Sequence, residues 1–99
     1  MESKDKEQVL PSQKVMQHAC KLACANDKPI MLDYWLDSHE QGKVLIGVRE
    51  NEEKILIRSE DEYTSPISKV YKVSDEFILI TENSIYVVSA KIQSRKINS

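Results

Sequence analysis

Cys20 and Cys24 stand four residues apart, with His18 two residues before the first of them and His39 farther along the chain. A four-residue spacing on a helix puts both thiols on one side, where they could share a metal ion. His18 would then point elsewhere, and His39 would have to reach in from a distant turn. Structural zinc is usually held by tighter, turn-borne pairs with a second pair downstream. The pattern therefore favours two small buried thiols at a helix–sheet interface over a metal centre. A nucleophilic Cys/His pair would need an activated thiolate and an oriented base. Neither cysteine sits at a helix N-terminus or in a basic run, so nothing depresses its pKa.

Asp33, Asp37, His39 and Glu40 also cluster. General acid–base chemistry needs two such groups facing one cleft. Here one is an outward strand carboxylate and another belongs to a turn. Gly42 and Gly47 stand apart, so no phosphate-cradling loop is present. No catalytic set converges, and no cofactor or metal is implied. The chain reads as a non-enzyme.

Two acidic groups, Glu50/Glu52/Glu53 and Glu60/Asp61/Glu62, flank one strand and form two separate spots. They read as solvated turns that keep an edge from aggregating; contact with a basic partner is the alternative. Lys91, Arg95 and Lys96 give the end of the chain a local charge of +3, with no acid after Glu82. Three charges are few for holding a nucleic acid, because affinity grows with the phosphates neutralised. A solvated tail is the simplest reading, with contact to nucleic acid or an acidic neighbour as the alternative. Among the six aromatics, Trp35, Tyr34 and Tyr63 are candidate contacts. Trp35 is either an interface anchor on an open sheet face or part of a second core layer.

The elements that position these residues follow from periodicity. Pro11-Ser12 opens a helix, with Ser12 a good N-cap. Val15, Met16, Ala19, Cys20, Leu22 and Ala23 recur at three- and four-residue spacing and form its apolar face. Asn26 suits the left-handed position that ends it, and Pro29 stops continuation. From Ile30 the period becomes two. Strands are expected over 30–36, 44–48, 55–57, 67–73, 77–81 and 85–90, separated by the polar turns 37–42, 50–53, 59–66, 74–76 and 82–84. Short spacers favour antiparallel neighbours. The expected fold is α+β: one N-terminal helix packed on an antiparallel meander of five or six strands, which could curl into a small barrel. Residues 1–10 read as a mobile arm, 11–92 as the domain and 93–99 as a basic tail.

Composition bounds the rest. Ninety-nine residues, 40% apolar and 30% charged, suit one small globule. Ten isoleucines and eight valines against seven leucines favour a sheet. No apolar run is long enough to span a membrane. The charged stretch Met1 to Gln8 predicts no signal peptide. Two cysteines fit an intracellular setting, cytoplasmic or nuclear. A net charge of −2 argues against binding nucleic acid through the overall field. A chain of this size buries only about 60–65% of its unfolded surface, which favours docking on a partner.

In element order over about residues 12–90, the chain is similar to Sm-like RNA-binding barrels. That family bends its strands at glycines and places a basic residue and a glycine before the last strand. Here Asp75-Glu76 and Glu82-Asn83-Ser84 occupy the comparable turns, so no RNA-binding residue carries over. The stretch Ser59-Glu60-Asp61-Glu62-Tyr63-Thr64-Ser65-Pro66-Ile67, with Thr81-Glu82-Asn83-Ser84-Ile85-Tyr86, resembles small uncharacterised proteins of large DNA viruses. That likeness implies a viral accessory or virion component and supplies no catalytic residue. The function expected is a protein-interaction or structural module working through a sheet face or open edge. It would be a homo-oligomer or a subunit of a larger assembly, with Trp35, Tyr34, Tyr63, Lys91, Arg95 and Lys96 as contact residues. The alternative is a small nucleic-acid binder using the basic tail and exposed aromatics.

Overall fold

The computed structural model describes residues 10–97. The arm read at the N-terminus lies outside the described residues except for Leu10, which is exposed. The helix α1 spans Gln13–Asn26. The Ser12 hydroxyl accepts from the Val15 N–H at 3.1 Å, as an N-cap should. Ser12 also donates from its hydroxyl to Glu76 Oε1 at 3.1 Å and from its N–H to Glu76 Oε2 at 3.2 Å. These bonds tie the start of the helix to the sheet beneath it. The left-handed position falls on Asp27 (φ 56°), one residue later than the sequence suggested. Asn26 stays helical and donates from its side chain to the Leu22 carbonyl at 2.8 Å.

Among the described residues seven strands follow: β1 Ile30–Met31, β2 Leu45–Val48, β3 Lys54–Ile57, β4 Ile67–Val73, β5 Glu76–Thr81, β6 Ile85–Ser89 and β7 Gln93–Lys96. They form two sheets, with strand orders β1-β6-β5-β4 and β3-β2-β7. The pairs β2/β3, β4/β5 and β5/β6 are antiparallel. β1/β6 and β2/β7 are parallel. The α+β class stands, but the single meander and the closed barrel do not. Both parallel pairs join strands far apart in the chain, which spacer lengths between neighbours could not reveal.

The molecule is a three-layer stack of helix, four-stranded sheet and three-stranded sheet. Ile78, Ile80, Ile85 and Val87 meet Val15 and Ala19 on one side. Leu79 and Val88 meet Val44, Ile46 and Leu56 on the other. Strands covered on both faces carry continuous apolar runs, which accounts for 77–80 and 85–88. The second face of the larger sheet is thus covered by this same chain. The open sheet face on which Trp35 could have been an anchor is therefore not found on the larger sheet.

Residues 32–39 do not continue β1 as a strand. Bonds from the Trp35 N–H to the Leu32 carbonyl and from the Ser38 N–H to the Tyr34 carbonyl wind them into turns, ending in one 3-10 turn at Asp37–His39. In a strand, neighbours 34 and 35 would face opposite ways. The turns achieve the same division differently, sending Tyr34 into the sheet–sheet core and Trp35 into the helix–sheet core. Leu32 and Leu36 are exposed. Trp35 is 3% exposed, so the reading of it as an open-face anchor is overturned. The Ser38 hydroxyl accepts from the Ser89 N–H at 2.9 Å, fastening the turn to the end of β6.

Neighbours on a doubly covered strand should both be costly to truncate. Ile78→Ala and Leu79→Ala are each expected to lose about 2–5 kcal/mol in urea unfolding. Exposed Lys72→Ala should change stability by less than about 0.5 kcal/mol. If only one of the two core substitutions is costly, one face of the larger sheet is not packed as described.

Candidate functional site

The thiols and carboxylates singled out in the sequence are dispersed. Cys20 and Cys24 are both exposed, which corrects their expected burial. At about 100° per residue, the buried face centred on Val15 and Ala19 turns away from positions 20 and 24. Asp37 pairs with Arg58 at 3.3 Å, and the Asp33 carbonyl accepts from Arg58 at 3.0 Å. Glu40 pairs with Lys43 at 3.3 Å. The His39 ring meets Trp35 edge-on, with centroids 4.4 Å apart. Among the described residues no three His, Cys, Asp or Glu side chains group as metal ligands. No helix among them is long and apolar enough to cross a membrane.

The segment expected to be a basic tail is instead built into the fold. β7 lies alongside β2 with Leu45 opposite Gln93 and Gly47 opposite Arg95. The Ile97 N–H donates to the Val48 carbonyl at 2.9 Å. Alternate residues of a strand direct their peptide groups to opposite sides. Gln93, Arg95 and Ile97 therefore face β2, while the N–H and C=O of Ser94 and Lys96 face outward. β7 is the last strand of its sheet, and all four of its residues are exposed. Lys91, Arg95 and Lys96 make no ion pair within the described residues.

The other edges differ. β3 is sealed by its own chain: the Thr64 N–H donates to the Leu56 carbonyl at 2.9 Å, and the Leu56 N–H donates to the Thr64 hydroxyl at 3.1 Å. β1 is two residues long. β4 is open and longer, but its register shifts between Ile67 and Lys69, and Lys69 and Lys72 are exposed along it. A bulge and lysines are the usual protection of an edge.

Two clefts adjoin β7. One, of about 260 Å³, lies between the 38–42 turn and the start of β7, with His39, Lys91, Gln93 and Arg95 on its walls. The other, of about 820 Å³, lies on the outer face of the smaller sheet, lined by Leu45, Ile57, Tyr63 and Ile97, with Arg49 and Arg95 at hand. Gly47 makes its floor possible. A Cβ there would collide with Ile57 Cδ1 and stand 3.0 Å from Ile97 Cδ1. Arg95 borders both clefts. The fold thus brings Arg95 together with Lys91 on one side and Tyr63 on the other. Lys96 lies beside Val48 and Glu50. Tyr34 and Trp35 are buried and line neither cleft. Sequence reasoning missed Leu45, Ile57 and Ile97 as cleft residues, because their apolar alternation reads equally well as core.

No protein-family model, curated protein or solved structure matches the chain.

Arg58 stands over the Tyr34 ring, 5.5 Å from its centroid. Burial nonetheless pushes the Tyr34 phenol above its ordinary 10.0, and the nearby Tyr86 and Glu62 act in the same direction. A raised folded-state pKa favours the fold while the phenol is neutral. That stability should fall as pH rises above about 10, where the unfolded chain ionises first. Tyr34→Phe should flatten the alkaline limb of a melting-temperature profile, whereas an unchanged limb would assign it to other groups. The thiols give a second check. Native protein should react with a thiol reagent at both cysteines about as fast as denatured protein. Slow native reaction at either would contradict the exposed helix face.

Proposed function

We propose that this protein is a non-enzymatic interaction module that receives an extended acidic segment of a partner protein on the outer edge of β7. The observation that carries this reading is the outward N–H and C=O of Ser94 and Lys96, set beside three cations without ion-pair partners among the described residues. An added strand gains main-chain hydrogen bonds along such an edge, and flanking pockets select its side chains. The apolar cleft around Tyr63 suits an aliphatic or aromatic side chain of the same segment.

Charge favours a partner over a second copy of the chain. Both open edges are basic, with Lys69 and Lys72 on β4 and Arg95 and Lys96 on β7. Joining either edge to its equivalent or to the other would set like charges face to face, which is destabilising. An acidic segment meets complementary charge at either edge. β7 is favoured because both clefts adjoin it. The likeness to small proteins of large DNA viruses suggests a viral accessory or virion role as the setting, and adds no residue to the site.

The test uses a fluorescein-labelled pool of short peptides alternating Asp or Glu with Val, Ile, Leu or Phe, read by anisotropy. Saturable binding is expected. Ser94→Pro removes an outward donor and leaves the β2 ladder intact, as proline can on an edge. It should weaken binding about tenfold, roughly one hydrogen bond with its desolvated partner. Arg95→Glu/Lys96→Glu should weaken it at least as much, and Lys72→Glu on β4 should not. Binding that is indifferent to β7 changes would overturn the reading. So would tighter, steeply salt-dependent binding of a single-stranded oligonucleotide, which would favour the nucleic-acid alternative.

A further inference from the structure

Resting on the reading of β7 as a receiving edge, we infer that the 260 Å³ cleft at the start of β7 captures the free C-terminal carboxylate of the added segment. The cleft sits where β2 and β7 both begin, with Leu45 and Gln93 on its wall and the 38–42 turn opposite. Its cations are Lys91 and Arg95, neither held in an ion pair within the described residues. His39 adds a third nitrogen-bearing group on the same wall. The acid lining the cleft, Glu40, is engaged by Lys43 at 3.3 Å. The local field therefore favours an anion. Pairing a carboxylate with arginine and lysine gives charge-assisted hydrogen bonds, stronger than neutral ones.

Strand polarity makes that anion a chain end. A segment added antiparallel to β7 runs from the Lys96 end toward Gln93 and finishes at this cleft. A segment added parallel would begin here, placing its cationic amine against Lys91 and Arg95. The charges thus select the antiparallel direction. The size of the cleft points the same way. It is below the about 300–1,000 Å³ of a drug-sized ligand site, and the 38–42 turn walls its far side. A terminal group fits such a space.

Two versions of the alternating acidic peptide pool, identical except for a free C-terminal carboxylate or a carboxamide, test this. Both should bind, the acid on the order of tenfold more tightly, as expected for a charge-assisted contact. Lys91 is exposed and outside the ladder, so Lys91→Gln should preserve the fold. It should weaken the acid pool more than the amide pool and narrow the acid–amide difference to about threefold or less. Equal binding of acid and amide would overturn carboxylate capture while leaving strand addition intact. An acid preference that survives both Lys91→Gln and Arg95→Gln would place the carboxylate elsewhere and overturn the site. Failure of both pools to bind at all would remove the edge reading and this inference with it.

Discussion

The fold hangs on β5 and β6 being buried on both faces. Each alternates large aliphatic side chains toward the helix and toward the second sheet, so neither strand can reach solvent without exposing a core. A small domain has little apolar surface to spare. Here one sheet serves two cores, which spreads that surface across three layers. The arrangement demands a cover for each side. The helix supplies one and the β3-β2-β7 sheet the other. Tyr34 and Trp35, adjacent in the chain, insert on opposite sides of the central sheet and join the two layers at its β1 end.

The second layer fixes where polar chemistry can occur. Arg58 is committed to structure. It donates to the Asp33 carbonyl, pairs with Asp37 and with Glu62 at 3.4 Å, and lies over Tyr34. It thereby holds the turn after β1 to the loop after β3. Arg49 is engaged by Glu53 across the tip of the β2–β3 hairpin at 3.6 Å. Arg95, which borders the same outer cleft as these two, makes no ion pair within the described residues. Its strand has neighbours on one side, and its guanidinium is free to meet a ligand. The proposed recognition thus follows from the architecture: the strand that completes the second sheet is also the open edge of that sheet.

Much of this was legible in the chain. The helix limits, its Ser12 cap and five of the strands follow from local periodicity and turn chemistry, because amphipathic elements must display their buried side at fixed spacing. The α+β class follows from one 3.6-residue pattern followed by several of period two. The cations at 91, 95 and 96 and the aromatic at 63 were visible as residue types, and their convergence around β7 was not. Long-range pairing decided the remainder. Gln93-Ser94-Arg95-Lys96 has no apolar alternation and forms a strand because the open side of β2 offers it peptide partners. Residues 32–36 alternate like a strand and wind into turns, because that is how two adjacent aromatics reach two different cores. Cys20 and Cys24 lie on the side of the helix turned away from Val15 and Ala19, and the position of the sheet left them in solvent. Periodicity states which residues share a side of an element. Only the packing of distant elements decides which sides are covered, since burial is a property of pairs of surfaces and a single strand or helix carries only one of them.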